Sequence, residues 1–416
     1  MSSIANVSDD VHALVAGAAR AAKAPSASLA AAGADAVTAA LYGIAERLEA
    51  ERAAVLAANE RDVAGLPDGT SPAFADRLTL SPERLAKMAA QIVALAESPD
   101  PEPGGPVREL AGGARVEERR RPVGVIGANY EARPNVTVDV ASQLLKSRNA
   151  GVLRTGGAAL RSASELVDRV VAPAYAGAGL DPAAIQLVRS ADREAARALV
   201  SFPDLIPLVI LRGSGETTAA LAQHAAGHGV RTLAHADGGG VLYVDEAADA
   251  ELALRRVGDS LDRLGVCNRL NLLLLAESRW DELLPRMTAR LEELGIAPSL
   301  PPHDHPLGYE WALDDERSAT VTVAPAPDAS AAAAIANDET SGLAAAIVTA
   351  DPAAAERFLA AYTGTGAFWN ASTRLLDGFE LLGAPETGIN VDHVPGPRGP
   401  VTFRDLYLRQ YVVTPG

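Results

Sequence analysis

The sequence has a single cysteine, Cys267, among its 416 residues. One thiol excludes a disulfide framework and a zinc site built from several thiolates, and it is typical of a reducing compartment. Lysine is nearly absent as well, because only Lys23, Lys87 and Lys146 stand among the 37 basic residues. An arginine where other proteins have lysine therefore carries little information about that site.

Positive charge and long apolar runs are also scarce. Acidic residues outnumber basic ones by 53 to 37, giving a net charge of -16, which disfavours the phosphate backbone of nucleic acids as a partner. No stretch approaches the ~18 consecutive apolar residues of a membrane span, and the first residues lack the basic start and apolar run of a signal peptide. We therefore expect a cytoplasmic protein with no nucleic-acid or membrane partner.

Hydrophobic residues make up 48% of the chain, which at this length is enough for two cores. Apolar residues recur at helical spacing over 35–65, and Ser81 and Pro82 begin a second amphipathic helix that runs to residue 98. The Pro/Gly cluster at 98–105 predicts a linker, and the residues from there to 121 predict a short hairpin.

From residue 122, short apolar runs alternate with helical segments, which is typical of right-handed βαβ units in parallel sheets covered on both faces. The predicted strands of this series are 123–128, 151–154, 185–188, 205–211 and 230–234. After the glycines at 238–240 a second series follows, with strands 241–244, 270–275, 320–323, 345–349 and 367–370. Residues 409–413 predict a last strand that must pair with another segment or subunit. The fold class is therefore α/β.

Cys267 is the first candidate for chemistry, because a thiolate attacks acyl groups at neutral pH without an adjacent base. Gly265, two residues earlier, would let a flat ligand approach the backbone. The alternative is that the lone cysteine is a small buried hydrophobic residue, which is the commoner case. The local sequence does not choose between the two.

Two strand-to-helix turns are candidates for contacting a nucleotide. Gly213 and Ser214 follow an apolar strand and open a helix, where backbone N–H groups favour anions, but a third glycine is missing and a plain turn explains them equally well. The other turn begins at Arg154 and continues with Gly156 and Gly157.

His224 and His228 lie one helical turn apart with no third ligand, so we predict no metal site and exposed histidines.

Several segments together carry a resemblance. They are Tyr-Glu-Ala-Arg-Pro-Asn-Val-Thr at 130–137, Leu-Lys-Ser-Arg-Asn-Ala at 145–150, Gly-Val-Cys-Asn at 265–268 and Asn-Ala-Ser-Thr-Arg at 370–374, with shorter matches at 57–62 and 76–80. In this order, over nearly the full length, the chain resembles the gamma-glutamyl phosphate reductases of the aldehyde dehydrogenase superfamily. The resemblance implies two doubly wound parallel-sheet domains and a small oligomerisation arm.

The resemblance also implies a reaction and its residues. Cys267 would attack an acyl phosphate, phosphate would leave, and hydride from NADPH would reduce the thioester to an aldehyde, as a step of proline biosynthesis. Asn135 and the backbone N–H of Cys267 match the oxyanion donors, and Asn370, Ser372, Thr373 and Arg374 match the substrate-binding segment. Lys146, Arg154, Gly156, Gly157, Gly213 and Ser214 match the cofactor-binding positions.

Two positions bear on the direction of the reaction and on the cofactor. His235 stands near the place where oxidising relatives have a glutamate that activates water, and a reductase needs no such base. Gly157 stands where NAD-preferring relatives often have a glutamate, whose loss removes repulsion against a 2′-phosphate and favours NADP(H). The resemblance further implies an acyl phosphate substrate and a homodimer or homotetramer, with a cognate acyl kinase as a possible partner.

The expected domains are a cofactor-binding domain of residues 1–105 and 122–238, a catalytic domain of residues 239–400, and an arm of residues 106–121 with 401–416. Departures from the family fall near Cys267: Leu264 replaces the proline of an Arg-Pro pair, Asn271 replaces a glutamate, and Leu343 lies in a segment that usually has histidines. These changes leave two alternatives open, a paralogue that acts on another acyl phosphate or acyl thioester and a scaffold without turnover.

Overall fold

The computed structural model describes residues 2–213, 215–235, 238–314, 316–392 and 396–415, without the side chains of residues 2–9, 73 and 235. Helices dominate the start of the chain: α1 (Ser2–Lys23), α2 (Ser26–Ala30), α3 (Ala34–Ala50), α4 (Arg52–Ala64), α5 (Pro72–Leu78) and α6 (Pro82–Glu97). The helix expected over 35–65 is divided in two, because the backbone of Glu51 leaves the helical conformation (φ -96°, ψ 9°). Ser81 caps α6 as predicted, since its hydroxyl accepts from Arg84 N at 3.2 Å.

The next elements build the first sheet. The hairpin β1 (Gly104–Glu109) and β2 (Arg115–Pro122) precedes β3 (Val125–Tyr130), α7 (Pro134–Lys146), β4 (Ala150–Thr155), α8 (Leu160–Glu165), α9 (Ala172–Gly177), β5 (Ile185–Leu187), α10 (Glu194–Leu199), β6 (Leu208–Arg212), α11 (Gly215–Gly227) and β7 (Arg231–His235). In the described part of the chain, β3 to β7 form a five-stranded parallel sheet in the order β5-β4-β3-β6-β7. The strand order reverses between β3 and β6, and a crevice opens at their carboxyl ends.

The second sheet uses β8 (Gly240–Val244), α12 (Ala250–Asp259), β9 (Leu270–Ala276), α13 (Trp280–Glu293), β10 (Ala297–Ser299), β11 (Thr320–Ala326), α14 (Ala329–Glu339), β12 (Ala344–Val348), α15 (Pro352–Ala361) and β13 (Gly366–Trp369). Its described strands are all parallel, in the order β10-β11-β9-β8-β12-β13. One face packs on α14 and α15 through residues such as Phe358, and the other packs on α12 and α13 through residues such as Met287. The predicted α/β class with parallel sheets is confirmed.

The chain then returns to the first core through α16 (Gly378–Leu382), β14 (Gly388–Asn390) and β15 (Gly399–Val401). Ala384, Val401 and Phe403 belong to the same buried cluster as β3 and β4. The catalytic domain was expected to extend to residue 400, whereas this packing already rejoins the first core at Ala384. The domain boundaries as a whole stay a prediction.

The last strand, β16 (Tyr407–Thr414), pairs antiparallel with β2 along its whole length, which confirms that the tail finds another segment. The strands β1, β2 and β16 together form a separate three-stranded sheet of described residues. Leu408, Tyr411 and Val413 on β16 are each more than half exposed. Among the helices described here, none has the length and apolar character needed to cross a membrane.

Candidate active site

A cavity of about 200 Å³ lies where the two sheets meet, at the carboxyl ends of β3 and β6. Its walls come from α5, from the residues after β3 and β6, from the loop before β9 and from the loop before β11. The lining residues are Phe74, Arg77, Glu131, Ala132, Arg133, Arg212, Gly213, Gly238, Gly265, Val266, Cys267, Glu310, Ala312 and Leu313. Ligands of open α/β sheets bind at such a switch point.

The segment after β3 enters the cavity through a strained turn. Ala132 is 4% exposed and has φ 44°, in the left-handed region that a residue with a Cβ occupies at a cost of ~1 kcal/mol or more. Pro134 then begins α7 with φ already suited to a helix. Glu131 and Arg133, on either side of the turn, both line the cavity.

Cys267 lies partly exposed on the wall of this cavity. Its other side packs against the apolar cluster that contains Leu343, Leu376 and Ile389. Burial raises the pKa of the Cys267 thiol, Arg133 and Arg212 counteract that rise, and Glu386 and Glu310 add to it. The cysteine is therefore neither fully buried nor remote from charge, which favours the functional interpretation over the hydrophobic one.

The three glycines at 238–240 allow the backbone of Cys267 to approach closely. A Cβ on Gly238 would lie 2.5 Å from Cys267 O, and one on Gly240 would lie 2.5 Å from Arg269 O. Gly239 has φ 118° and donates its N–H to Cys267 O at 2.9 Å. Only residues without side chains fit here, so the three glycines determine how closely the backbone of Cys267 packs against them.

The segment at 370–374, predicted to bind substrate, contacts the Cys267 loop on the side away from the cavity. Thr373 Oγ1 donates to Asn268 O at 2.8 Å, and Arg374 Nε donates to Asp262 at 2.6 Å while Nη1 donates to Asn268 Oδ1. Ser372 shares a hydroxyl contact of 2.8 Å with Ser260. None of these residues is among those lining the cavity.

Asn370 belongs to the same support, because its left-handed backbone (φ 53°) lets its amide bond both backbone groups of Thr349. These contacts give residues 370–374 a structural role, and substrate binding by them stays a prediction. Thr373 is fully buried and Ser372 is 7% exposed, so their hydroxyls are committed to holding the chain in place.

Lys146 was predicted to bind the cofactor, a role that stays a prediction, and its described contacts are with its own chain. The side chain is 1% exposed, and its ammonium contacts the carbonyl oxygens of Ala96 and Ser98 and the carboxylate of Asp100 at 3.1 Å. These acceptors use all three of its N–H donors. Lys146 therefore anchors the linker after α6, at the end of α7 away from the cavity.

A second cleft, of about 680 Å³, lies beside the first between α10 and α11. Its polar lining includes Asn129, Arg154, Arg193, Arg197, Glu216 and His224, and Glu131 lines both spaces. Arg154 is 4% exposed; it donates to Asn129 Oδ1 at 3.2 Å and to Asp192 O at 2.9 Å, while its Nε has no partner among the described residues. The size and charge of this cleft suit a nucleotide.

The other predicted cofactor residues do not all line the same space. Gly213 lines the Cys267 cavity, and a Cβ added to it would lie 3.6 Å from the side chain of Glu131. Gly156 and Gly157 line neither space, and a Cβ on Gly157 would meet Ala191 at 3.0 Å. Ser214 lies outside the described residues, as does the stretch directly after His235, whose own side chain is likewise not described.

Asn135, the predicted oxyanion donor, is the second residue of α7 and lies two positions after Arg133. Its amide Nδ2 donates to Asp139 Oδ2 at 2.9 Å, one turn along the helix. The pKa of Asp139 is raised to about 7, mainly because the carboxyl is buried; Arg212 opposes this rise and Glu386 adds to it. The oxyanion role of Asn135 stays a prediction, because Asn135 is not among the residues that line the cavity.

The departures at Asn271 and Leu343 have structural explanations. Asn271 Oδ1 accepts from Trp311 N at 3.1 Å and its amide donates to Tyr309 O, which positions the loop that carries Glu310. Leu343 packs in the apolar cluster behind Cys267. His224, expected to be an exposed helix residue, lines the second cleft and contacts Ser201 Oγ at 3.1 Å.

Two doubly wound sheets, with a thiol at the cavity between them and a nucleotide-sized cleft alongside, define a two-domain α/β enzyme. A model of the aldehyde dehydrogenase family matches residues 2–306, and the chain belongs to this family. Within it, the chain is similar to a gamma-glutamyl phosphate reductase from Moorella thermoacetica, at 36% identity over 378 residues, which are 87% of this chain and 88% of the relative.

Solved structures agree with this placement. The crystal structure of the gamma-glutamyl phosphate reductase from Thermotoga maritima has a TM-score of 0.85 at 25% identity, over 97% of this chain and 98% of its own. An engineered glycolyl-CoA reductase with bound NADP⁺ has a TM-score of 0.74 at 15% identity, over 96% of each chain, and shares the fold.

The sequence alone did not identify Arg133, Arg212 and Glu310 as parts of the site. A signal existed for the two arginines, because each stands at or just after the carboxyl end of a central strand next to the strand-order reversal. Glu310 has no such signal, since it lies in an irregular loop before β11.

Proposed function

We propose that this enzyme reduces an acyl phosphate to an aldehyde, with gamma-glutamyl phosphate as the substrate and glutamate 5-semialdehyde and phosphate as the products. The observation that carries the proposal is the position of Cys267, partly exposed in a cavity that also holds Arg133 and Arg212. The names of the relatives at 36% and 25% identity support the choice of substrate.

In the proposed reaction, the Cys267 thiolate attacks the acyl carbon and the electron pair of the carbon–oxygen bond leaves with phosphate. The product is a thioacyl enzyme in which the sulfur–carbon bond has replaced the mixed anhydride. Asn135 and the backbone N–H of Cys267 are the proposed donors to the oxyanion, a role that lowers a barrier by ~3 kcal/mol per donor. After reduction, the carbon–sulfur bond breaks and the thiolate is restored.

NADPH, when bound, supplies the hydride that reduces the thioester. The second cleft fits this group, because a buried guanidinium nitrogen of Arg154 lacks a partner among the described residues and two more arginines line the same wall. Arg154, Arg193 and Arg197 would hold the adenosine phosphate, where cationic side chains favour a 2′-phosphate over a hydroxyl. Gly213 lines the Cys267 cavity near Glu131, which lines both spaces, and would let the reducing end approach.

We further propose that the enzyme acts in the cytoplasm, in proline biosynthesis, on the product of an acyl kinase. The exposed apolar residues of β16, together with β1 and β2, are the proposed surface for a dimer or tetramer. The family resemblance supports the pathway and the kinase, and the composition of the chain supports the cytoplasm.

The test runs the reaction backwards. Glutamate 5-semialdehyde, phosphate and NADP⁺ should yield NADPH, and Cys267→Ala should abolish that signal while the circular dichroism spectrum is unchanged. Turnover without phosphate, or full activity of the alanine variant, would contradict the proposal. A proline auxotroph that lacks its reductase separates the alternatives, because rescue by this chain excludes a changed substrate.

A further inference from the structure

The Cys267 cavity contains two arginines that lack side-chain partners among the residues that the structure describes. Arg133 follows β3 and Arg212 ends β6, and both line the cavity with the thiol. Within the described residues neither guanidinium forms a hydrogen bond or an ion pair with another side chain, and Arg212 Nε is buried with no partner at all. Partly buried guanidinium groups in this state are ready to bind an anion.

The two arginines also act on each other and on the cysteine. Burial lowers the pKa of Arg133 to about 10, and the nearby charge of Arg212 adds to that effect. The two positive charges line one cavity and repel each other, so an anion bound there by both would relieve the repulsion. The amino end of α7 begins directly after Arg133, and its dipole also favours negative charge.

The chemistry places a phosphate in this cavity. The leaving group departs from the same carbon that Cys267 attacks, so it must lie beside the thiol, whereas the α-carboxylate of a glutamyl substrate is several bonds away. A cavity of about 200 Å³ holds the reacting end of such a substrate. Arg374, which sequence matching suggested for this role, is committed to Asp262 and Asn268.

We propose that Arg133 and Arg212 together bind the phosphate group that leaves from, or in reverse attacks, the acyl carbon on Cys267. This inference rests on the proposed function and adds the residues that recognise the leaving group. Glu131 and Glu310 line the same cavity and limit its net positive charge, so that phosphate can depart after the carbon–oxygen bond breaks. Arg133 and Arg212 each contact the reacting phosphate and are catalytic residues in this scheme.

Kinetics of the reverse reaction test the proposal with Arg133→Gln and Arg212→Gln. Because a hydrogen bond between charged groups contributes ~1.5–3 kcal/mol, we expect each variant to raise the KM for phosphate about tenfold or more and to leave the KM for the aldehyde within about twofold. Arg255→Gln, an exposed arginine on α12, is the matched control and should change neither constant. A raised KM for the aldehyde with an unchanged KM for phosphate would overturn the proposal, because the pair would then bind the substrate's carboxylate.

Alkylation of Cys267 by iodoacetamide gives a readout that needs no turnover. The charged groups that act on the thiol are Arg133, Arg212, Glu310 and Glu386, so inorganic phosphate bound by the two arginines should slow alkylation saturably in the wild-type enzyme. The response should be lost in Arg133→Gln and kept in Arg255→Gln. Because Arg133→Gln removes a positive charge that acts on the thiol, its alkylation without phosphate should be slower, and Arg133→Lys should restore that rate but only part of the phosphate affinity. An alkylation rate indifferent to phosphate overturns the site, whereas a phosphate response without reverse turnover overturns only the proposed reaction.

Discussion

Replacing Gly238 with alanine tests how closely the three glycines at 238–240 set the position of Cys267, the proposed nucleophile. The new Cβ would lie 2.5 Å from Cys267 O and 2.7 Å from Cys267 Cα, whereas ordinary contact begins near 3.4 Å. The carbonyl would therefore have to retreat by about 0.9 Å. The obstacle is backbone on both sides, so no flexible side chain can rotate away to relieve it.

A shift of this size predicts two separable effects. A displacement of ~1 Å at a reacting group reduces the rate by roughly 100-fold, so kcat/KM in the reverse assay should fall by about that factor. Overpacking costs ~1–3 kcal/mol, which should appear as a lower urea midpoint with an unchanged slope. The fractional loss of kcat/KM should be larger than the fraction of the protein that is unfolded, because the clash falls on the backbone of Cys267.

Gly17→Ala is the matched control. Gly17 lies inside α1, and a Cβ there meets nothing within 4 Å, so the same substitution should leave activity unchanged and stabilise the helix by ~1 kcal/mol. If Gly238→Ala retained wild-type kcat/KM, the account of the three glycines as a spacer for Cys267 would be refuted.

Three further predictions follow from buried polar groups. Arg154→Ala should raise the KM for NADPH more than tenfold and that for NADH less, as steady-state kinetics with the two cofactors would show; equal increases would contradict a role at the 2′-phosphate. Asn268→Ala should lower the free energy of unfolding in urea by about 2–3 kcal/mol, because the backbone carbonyls of Arg374 and Leu376 lose their buried donor; a change below 0.5 kcal/mol would contradict the bracing role. Because folding raises the pKa of Asp139 to about 7, the folded protein keeps a proton that the unfolded chain releases near pH 4. The free energy of unfolding should therefore fall as the pH rises from about 4 to about 7. Asp139→Asn should flatten the corresponding part of the curve of Tm against pH, and parallel curves would count against this assignment.

The alternation of short apolar runs with helical segments predicted both parallel sheets, because a strand covered on both faces must be apolar throughout its length. The helix α1 and the pair β14 and β15 were not predicted. Val11, Val15, Ala19 and Ala22 form a buried stripe at helical spacing on α1, so the sequence did contain a signal for this helix. The strands β14 and β15 have three residues each, too few to show alternation.

The sequence by itself determined the class of fold, the family and the lone cysteine as the candidate nucleophile, since local patterns record which residues are buried and which backbone conformations they adopt. Only the tertiary structure decided which charges surround Cys267. Arg133, Arg212 and Glu310 come from segments about eighty to a hundred residues apart, and the order of the strands brings them to one cavity. The same packing turned Arg374 and Lys146, both attractive as ligands in the sequence, toward carboxylates and carbonyl groups of their own chain.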